Sequence, residues 1–238
     1  MAGEPSPAAR TGSPHSPINY WLGLIFDHVL PGTLFALIAY AQLYAVYGML
    51  QGGAPASGPE ADARGWIIAQ RCMSAVFYLL AAYLFTVRAP RRGSRTGLFG
   101  AIVALGGTFV LTFIGLLPPV EPSPERTIPS LFLMIVGIAF AVFSLLCLGR
   151  SFGIFPEARG LVTNGPYRYI RHPLYLAEII SAAGLIITAL SLWSVALFAI
   201  FVVLQYARAI LEERALVRSL PDYAAYAART SRILPGIH

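Results

Sequence analysis

The chain has 238 residues, of which 57% are hydrophobic and only 12% are charged, with a mean hydropathy of +0.67. A soluble domain carries about 25% charged residues, so the composition excludes that class and points to an integral membrane protein. The net charge is +6, and all 17 basic residues are arginines. Because they flank apolar segments, they read as topology signals and contacts for anionic headgroups, not as a nucleic-acid surface.

Residues 1–17, rich in Pro, Ser, Ala and Gly, are expected to form a disordered tail. They are not read as a signal peptide, because the apolar stretch that follows is too long and no small-residue cleavage site follows it. Six apolar segments come next, to be compared with the roughly 20 residues that a spanning helix needs. The first, 20–50, is too long for one upright helix. Pro31-Gly32 either kinks it or divides an interfacial part from a spanning part. The others run over 66–87, 97–117, 128–148, 174–190 and 193–210. Only Ser191-Leu192 separates the last two, which predicts a tight antiparallel hairpin. Cys72 and Cys147 fall inside apolar segments and offer neither a disulfide framework nor a metal-ligand spacing.

The arginines set an orientation. Arg88, Arg91, Arg92 and Arg95 lie in one loop, Arg150, Arg159, Arg168 and Arg171 in another, and Arg214, Arg218, Arg229 and Arg232 in the tail. Six spans put all three groups on one side, which the positive-inside rule makes cytoplasmic together with both termini. Five spans plus an interfacial helix is the other arrangement left open. The expected fold is an all-α polytopic membrane bundle of about six spanning helices with a C-terminal cytoplasmic helical tail. The lysine-free usage points to a GC-rich bacterial genome, hence to the inner (plasma) membrane.

The two longest polar stretches, 149–173 and the tail from Leu211, sit at the two ends of the terminal hairpin. An antiparallel hairpin brings them together, so Tyr167, Arg171, His172 and Tyr175 should face Arg208, Glu212, Glu213 and either Tyr223 or Tyr226. Asn164-Gly165-Pro166 is a turn signal, and Pro173 suits the first turn of a helix. His172, Tyr175 and Glu178 then share one helical face. Glu178, about four residues into its helix, should point into the bundle or to Arg171. Each residue also has a plainer reading. Arg168 and Arg171 serve as charge anchors, His172 as a helix cap, the tyrosines as an interfacial belt, and Glu212-Glu213 as a solvated helix end. Asp27-His28 reads as an interface boundary. Arg71, near the outer end of its helix, can snorkel.

Taken together, "GPYRYIRHPLYLAE", then "RAILEERAL", then "YAAYAARTSRILP" resembles the isoprenylcysteine carboxyl methyltransferase family and the related phospholipid methyltransferases. The resemblance covers 159–235; Ala177 stands where many relatives have glycine. It implies an S-adenosylmethionine-dependent methyltransferase acting on a lipophilic or small-molecule acceptor, with membrane lipids around it. It divides the chain into the tail 1–17, a substrate-side bundle 18–148 and a catalytic and cofactor-binding region 149–238. By the same resemblance, Arg159, Gly160, Leu161 and Val162 line the adenosine site and Tyr167 packs on the cofactor. His172, Pro173, Leu174 and Tyr175 hold its ribose or methionyl part, and Glu212 pairs with a polar cofactor group. Arg208 holds the acceptor's anion. A carboxylate or thiolate is already a nucleophile, whereas an amine needs a base, for which Glu178 or Glu213 are the candidates. No metal is implied. Two other readings remain: an NADPH-dependent membrane reductase with Arg159 or Arg168 on the 2′-phosphate, and a non-enzymatic membrane protein.

Overall fold

The computed structural model describes residues 21, 24–53, 59–90, 96–117, 123–234 and 236. The expected disordered tail lies outside them, as do Arg91, Arg92 and Arg95. The described residues are helical with no strand; one isolated bridge joins Ile170 to Ser231.

A single π-helical turn, Ile25–Val29, leads into α1, Leu30–Gln51. The π-helical turn and α1 form one continuous helical run, with Val29 and Leu30 both in right-handed helical conformation. Pro31 thus lies inside a helix; it has no N–H for the Asp27 carbonyl, which accepts from Arg88 instead, and the irregular turn just before it is where the helical ladder is disturbed. Helix α2 covers Pro59–Val87, and α3 covers Leu98–Phe109 before tightening into a 3-10 stretch over Val110–Leu116. Helix α4 is Pro124–Leu148 and α5 is Pro173–Thr188. Helix α6, Leu192–Ser219, opens on a capping box in which Ser191 and Ser194 satisfy each other's backbone N–H, and α7 is the short turn Tyr223–Ala227. Helix α6 runs on well past residue 210, so the first part of the expected tail is a continuation of the last span.

Five helices are long and apolar enough to cross a membrane, the stretches being Asp27–Gln51, Ala63–Val87, Leu98–Leu116, Glu125–Ser151 and Leu192–Ser219. Helix α5 has 16 residues, a rise of about 24 Å against a hydrocarbon core of about 30 Å. The expected six segments are all helices, and this one is the short member.

In lipid no hydrophobic effect pushes helices together; close approach over small residues does it instead. The α4–α5 crossing is the most extensive in the bundle and follows that rule. A Cβ on Gly137 would come within 2.4 Å of the Ser181 backbone nitrogen. One on Gly184 would come within 2.6 Å of the Ser130 carbonyl oxygen. Helices α1 and α2 form the second large contact, α2 packs on α4, and α3 packs on α6. The core where they meet is built on Phe35, Phe85, Leu145, Phe152 and Leu174. Helices α5 and α6 are joined by the short link Ala189–Ser191, as expected of a hairpin. However, α5 packs chiefly on α4, and its flank toward α6 is open along much of its length. That opening makes room for a cavity.

Candidate functional site

A cavity of about 450 Å³ fills the space between α5, α6 and the first four helices. At its mouth it is lined by Tyr167, Arg171, His172, Tyr175, Arg208 and Glu212; Glu178 lies further in, and Phe77, Ile138 and Phe201 line its apolar depth. A side cavity of about 40 Å³ adjoins it, lined by Arg159, Gly160, Leu161 and Val162 together with Tyr223 and Tyr226. The two share Tyr167, Arg171, His172 and Glu212 as a common wall.

His172 occupies the N-cap position of α5, yet its side chain makes no capping hydrogen bond. Its ring stacks on Tyr175, 5.3 Å between centroids and 2° from parallel. Its Nε2 lies 3.2 Å from Glu213 Oε1, and its Nδ1 lies 3.8 Å from Glu212 Oε2. Tyr175 donates its hydroxyl to Glu212 Oε2 at 2.8 Å. Pro173 is buried in the first turn of α5 behind these groups and lines neither cavity, whereas Leu174 borders the main one.

Arg208 and Glu212 stand one turn apart, but they are not hydrogen-bonded to each other. Arg208 donates from Nη1 to Gln205 Oε1 at 2.8 Å and from Nη2 to the Ile154 carbonyl at 3.3 Å. Its guanidinium sits 4.7 Å from the Tyr175 ring centroid and 3.8 Å from Glu178 Oε2. The Gln205 amide donates to Glu178 Oε2. Glu178 therefore points into the bundle and toward Arg208, not toward Arg171. Arg208 Nε is buried with no hydrogen-bond partner among the described residues.

Glu213 has a different task from the base role expected of it. It accepts from Arg171 Nε at 2.9 Å, and from Arg232 Nε and Nη2 at 3.1 and 3.0 Å. With His172 alongside, its oxygens are fully engaged, and it lines neither cavity. It is the hub of a clasp. Arg171 also donates to the Ala227 and Thr230 carbonyls, the Arg171 amide donates to Ser231 O and the His172 amide to Arg232 O. The clasp fastens the C-terminal segment over the start of α5. Leu220, Tyr223 and Tyr226 complete it by packing on Leu161 and Leu216, and the Tyr226 hydroxyl donates to the Tyr167 carbonyl at 2.7 Å. Burial pushes the Tyr226 hydroxyl up to about 12 and those of Tyr167 and Tyr223 above their ordinary value. All three are neutral at physiological pH.

Arg159 is buried, with Nη2 donating to Glu157 Oε2 at 3.0 Å and Nη1 to the Ala89 carbonyl. It braces the wall of the side cavity, to which Gly160, Leu161 and Val162 contribute beside it. Arg168 is exposed, 5.9 Å from the Tyr169 ring centroid. His28 Nδ1 lies 2.8 Å from the Phe85 carbonyl and Arg88 donates to the Asp27 carbonyl, so Asp27-His28 is bound to the end of α2. Arg71 corrects its expectation. Helix α2 starts at Pro59, so Arg71 lies about 18 Å into it, and it donates to Gln42 Oε1 of α1 at 3.0 Å instead of snorkelling to an end.

Sequence reasoning missed two residues. Gln205, fully buried, links Arg208 to Glu178; its signal is an amide one turn before an arginine in an apolar helix. Gly107 lies against them, where a Cβ would come within 2.6 Å of Arg208 Cδ and 3.0 Å of Gln205 Oε1.

Residues 126–222, from the start of α4 to the residue before α7, match the sequence profile of phospholipid methyltransferases. This segment, less than half of the chain, is similar to that family. The family resemblance read from the sequence motifs is thereby borne out. Two curated relatives share part of it. The cobalt-zinc-cadmium resistance protein CzcN of Cupriavidus metallidurans is 40% identical over 76 residues, 32% of this chain and 35% of that protein. The nickel-cobalt-cadmium resistance protein NccN of Alcaligenes xylosoxydans xylosoxydans is 37% identical over 76 residues, 32% of this chain and 36% of that protein. The chain thus matches about a third of the length of either relative. Among the described residues, no group of three His, Cys, Asp or Glu side chains could hold a metal ion.

The methyltransferase segment contains both cavities' common wall, and the groups there suit S-adenosylmethionine. Tyrosine faces and the Glu212 carboxylate favour a sulfonium cation. The buried Tyr223 hydroxyl, on a residue that lines the side cavity, has no hydrogen-bond partner among the described residues and is free to meet a polar ligand group.

Proposed function

We propose that the chain is an integral membrane methyltransferase. It takes its methyl group from S-adenosylmethionine and passes it to a carboxylate, thiol or amine of a lipophilic or small acceptor, at the cytoplasmic face of a bacterial inner membrane. The observation that carries this reading is the shared wall of the two cavities. A small side cavity of mixed polarity under the C-terminal segment and a largely apolar cavity between helices meet at one wall, a layout that suits bringing a soluble donor and a membrane-borne acceptor end to end.

The bound cofactor would supply a methyl group on a cationic sulfonium, and its displacement depends on alignment more than on acid–base help. The residues divide that work. Tyr167, Tyr175 and Glu212 bind on the donor side. Arg208, with a free Nε and a guanidinium over the Tyr175 ring at 4.7 Å, suits an anionic acceptor by directional hydrogen bonds. Glu178 beside it is the base that an amine acceptor requires. The apolar walls keep water from the reacting atoms.

A reductase would need cations free for a 2′-phosphate. Arg159 is paired with Glu157, and Arg168 is exposed and lines neither cavity. Calorimetry on the detergent-solubilised protein separates the readings. Binding of S-adenosylhomocysteine without binding of NADPH is the expected result. Binding of NADPH alone, or of neither, overturns the proposal.

A further inference from the structure

The main cavity does not end in hydrocarbon. Gln42 of α1, Gln70 and Ser74 of α2, Thr108 of α3 and the exposed Thr112 of its 3-10 extension also line it. Tyr78 of α2 lines the cavity together with Glu178 and marks the level of the reacting end on that helix. Counting back along α2 at about 1.5 Å per residue, Ser74 lies about 6 Å and Gln70 about 12 Å further into the bundle. Polar side chains at such depth are costly in a membrane unless they find partners.

The two threonines satisfy themselves on their own helix, Thr108 on the Ala104 carbonyl and Thr112 on the Phe109 carbonyl. The two glutamines are each half satisfied. Arg71 donates to Gln42 Oε1 at 3.0 Å. Arginine has no acceptor, so this bond fixes which end of the amide is which and leaves the Gln42 Nε2 donor without a partner among the described residues. Gln70 donates to Ser74 Oγ at 3.0 Å, which leaves the Gln70 Oε1 acceptor likewise unpartnered. One donor and one acceptor, on two packed helices, line the same cavity. A hydroxyl both donates and accepts and satisfies both. A plain acyl or prenyl chain would leave both unpaired in the bilayer interior.

We propose that the methyl acceptor carries a second polar group, a hydroxyl or another group that both donates and accepts, on the order of 10 Å from the methylated atom, and that Gln42 and Gln70 bind it. The inference rests on the methyltransferase reading for the identity of the reacting end. The acceptor is thus polar at both ends with an apolar middle, and the glutamines select it over simple hydrocarbon-tailed lipids.

The test uses the full chain in lipid nanodiscs saturated with S-adenosylhomocysteine. Calorimetry compares alkyl carboxylic acids, amines and thiols of graded length, each with and without a terminal hydroxyl. In at least one series the hydroxylated ligand should bind about tenfold more tightly than its parent. The preference should peak at one chain length and fall below about twofold in Gln42→Leu and Gln70→Leu. Gln70→Leu leaves the Arg71–Gln42 bond intact and carries the test should Gln42→Leu not fold. Equal binding of parent and hydroxylated ligands in every series, or a preference that persists in the folded variants, overturns the inference. The failures are distinguishable: loss of S-adenosylhomocysteine binding by the unmodified protein defeats the methyltransferase reading, while the paired-ligand comparison still reports on the glutamines.

Discussion

Tyr175 donates its hydroxyl to Glu212 at 2.8 Å across the open end of the α5–α6 hairpin, while Arg208 lies over the same tyrosine ring at 4.7 Å. One side chain therefore touches both the residue assigned to the donor side and the residue assigned to the acceptor side. The hydroxyl and the ring can be altered separately, which makes the division of labour testable.

Glu212→Gln removes the charge proposed to face the sulfonium. S-adenosylmethionine affinity should fall by about ten- to a hundredfold, the value of a hydrogen bond to a charged group. Tyr175→Phe keeps the ring under Arg208 and loses only the bond that orients Glu212, so the loss should be about three- to tenfold. Calorimetric titration of both variants with S-adenosylhomocysteine checks the order. Affinities within twofold of the parent in both would remove Glu212 from the cofactor site.

Arg208→Lys keeps the charge and discards the planar fork that reaches Gln205 and the Ile154 carbonyl. Turnover on an accepted substrate should drop by about tenfold or more, with cofactor affinity near normal. A steady-state measurement of kcat/KM beside the calorimetry reads this. Equal losses in both assays would mean that Arg208 organises the whole site and does not serve the acceptor alone.

The sequence made the class of fold legible because lipid leaves few choices: long apolar runs must be helices, and their ends carry arginines. The composite site was legible for a geometric reason. A short link between two helices forces their far ends together, so 167–175 had to meet 208–213. The partners inside that meeting were not legible. Glu212 and Glu213 are adjacent in sequence, but the turn of the helix sends one into the cavity wall and the other into the Arg171–Arg232 clasp. Arg208 and Glu212 have the spacing of an ion pair, yet Gln205 one turn earlier on the same helix and the tertiary neighbours Ile154 and Tyr175 take them apart. Arg71 looked close to a helix end because the apolar run begins at Trp66, whereas the polar residues from Pro59 onward are also helical.

Glu213→Gln should loosen the tail instead of abolishing chemistry. Its carboxylate is bonded by Arg171 and Arg232, with side-chain exposures of 8% and 29%, and the amide leaves both with a neutral partner. The expected cost is about 1.5–3 kcal/mol at the clasp. Amide hydrogen exchange should speed up over 228–234 and around His172, while the first four helices stay protected. Normal protection of the tail together with complete loss of turnover would restore Glu213 as a base.

The orientation can be read by labelling. Under the cytoplasmic assignment of the arginine-rich loops, a cysteine at Asn164 in a Cys72- and Cys147-free background should resist an impermeant thiol reagent in intact cells. One at Ser123, at the opposite end of α4, should react. The reverse pattern would place the site on the outer face.

The α4–α5 crossing sets where Tyr175 and Glu178 stand, so Gly137 controls the site from a distance. A Cβ at Gly137 would come within 2.4 Å of the Ser181 backbone nitrogen and 2.7 Å of its Cα. No rotamer change can relieve a clash with backbone, so α5 must slide or tilt. Overpacking of this kind costs about 1–3 kcal/mol. Gly48→Ala is the matched control, since a Cβ there meets nothing within 4 Å and alanine is the better helix former by roughly 1 kcal/mol. Thermal unfolding in detergent should therefore show Gly137→Ala below the parent protein and Gly48→Ala at or above it. Because Ser181 lies one turn beyond Glu178 and two beyond Tyr175, the displaced helix should also carry Tyr175 away from Glu212. Gly137→Ala should then weaken S-adenosylhomocysteine binding although the residue touches neither cavity, whereas Gly48→Ala should not. Unfolding temperatures for Gly137→Ala at or above those of Gly48→Ala would show that α4 and α5 are not seated on each other at this glycine.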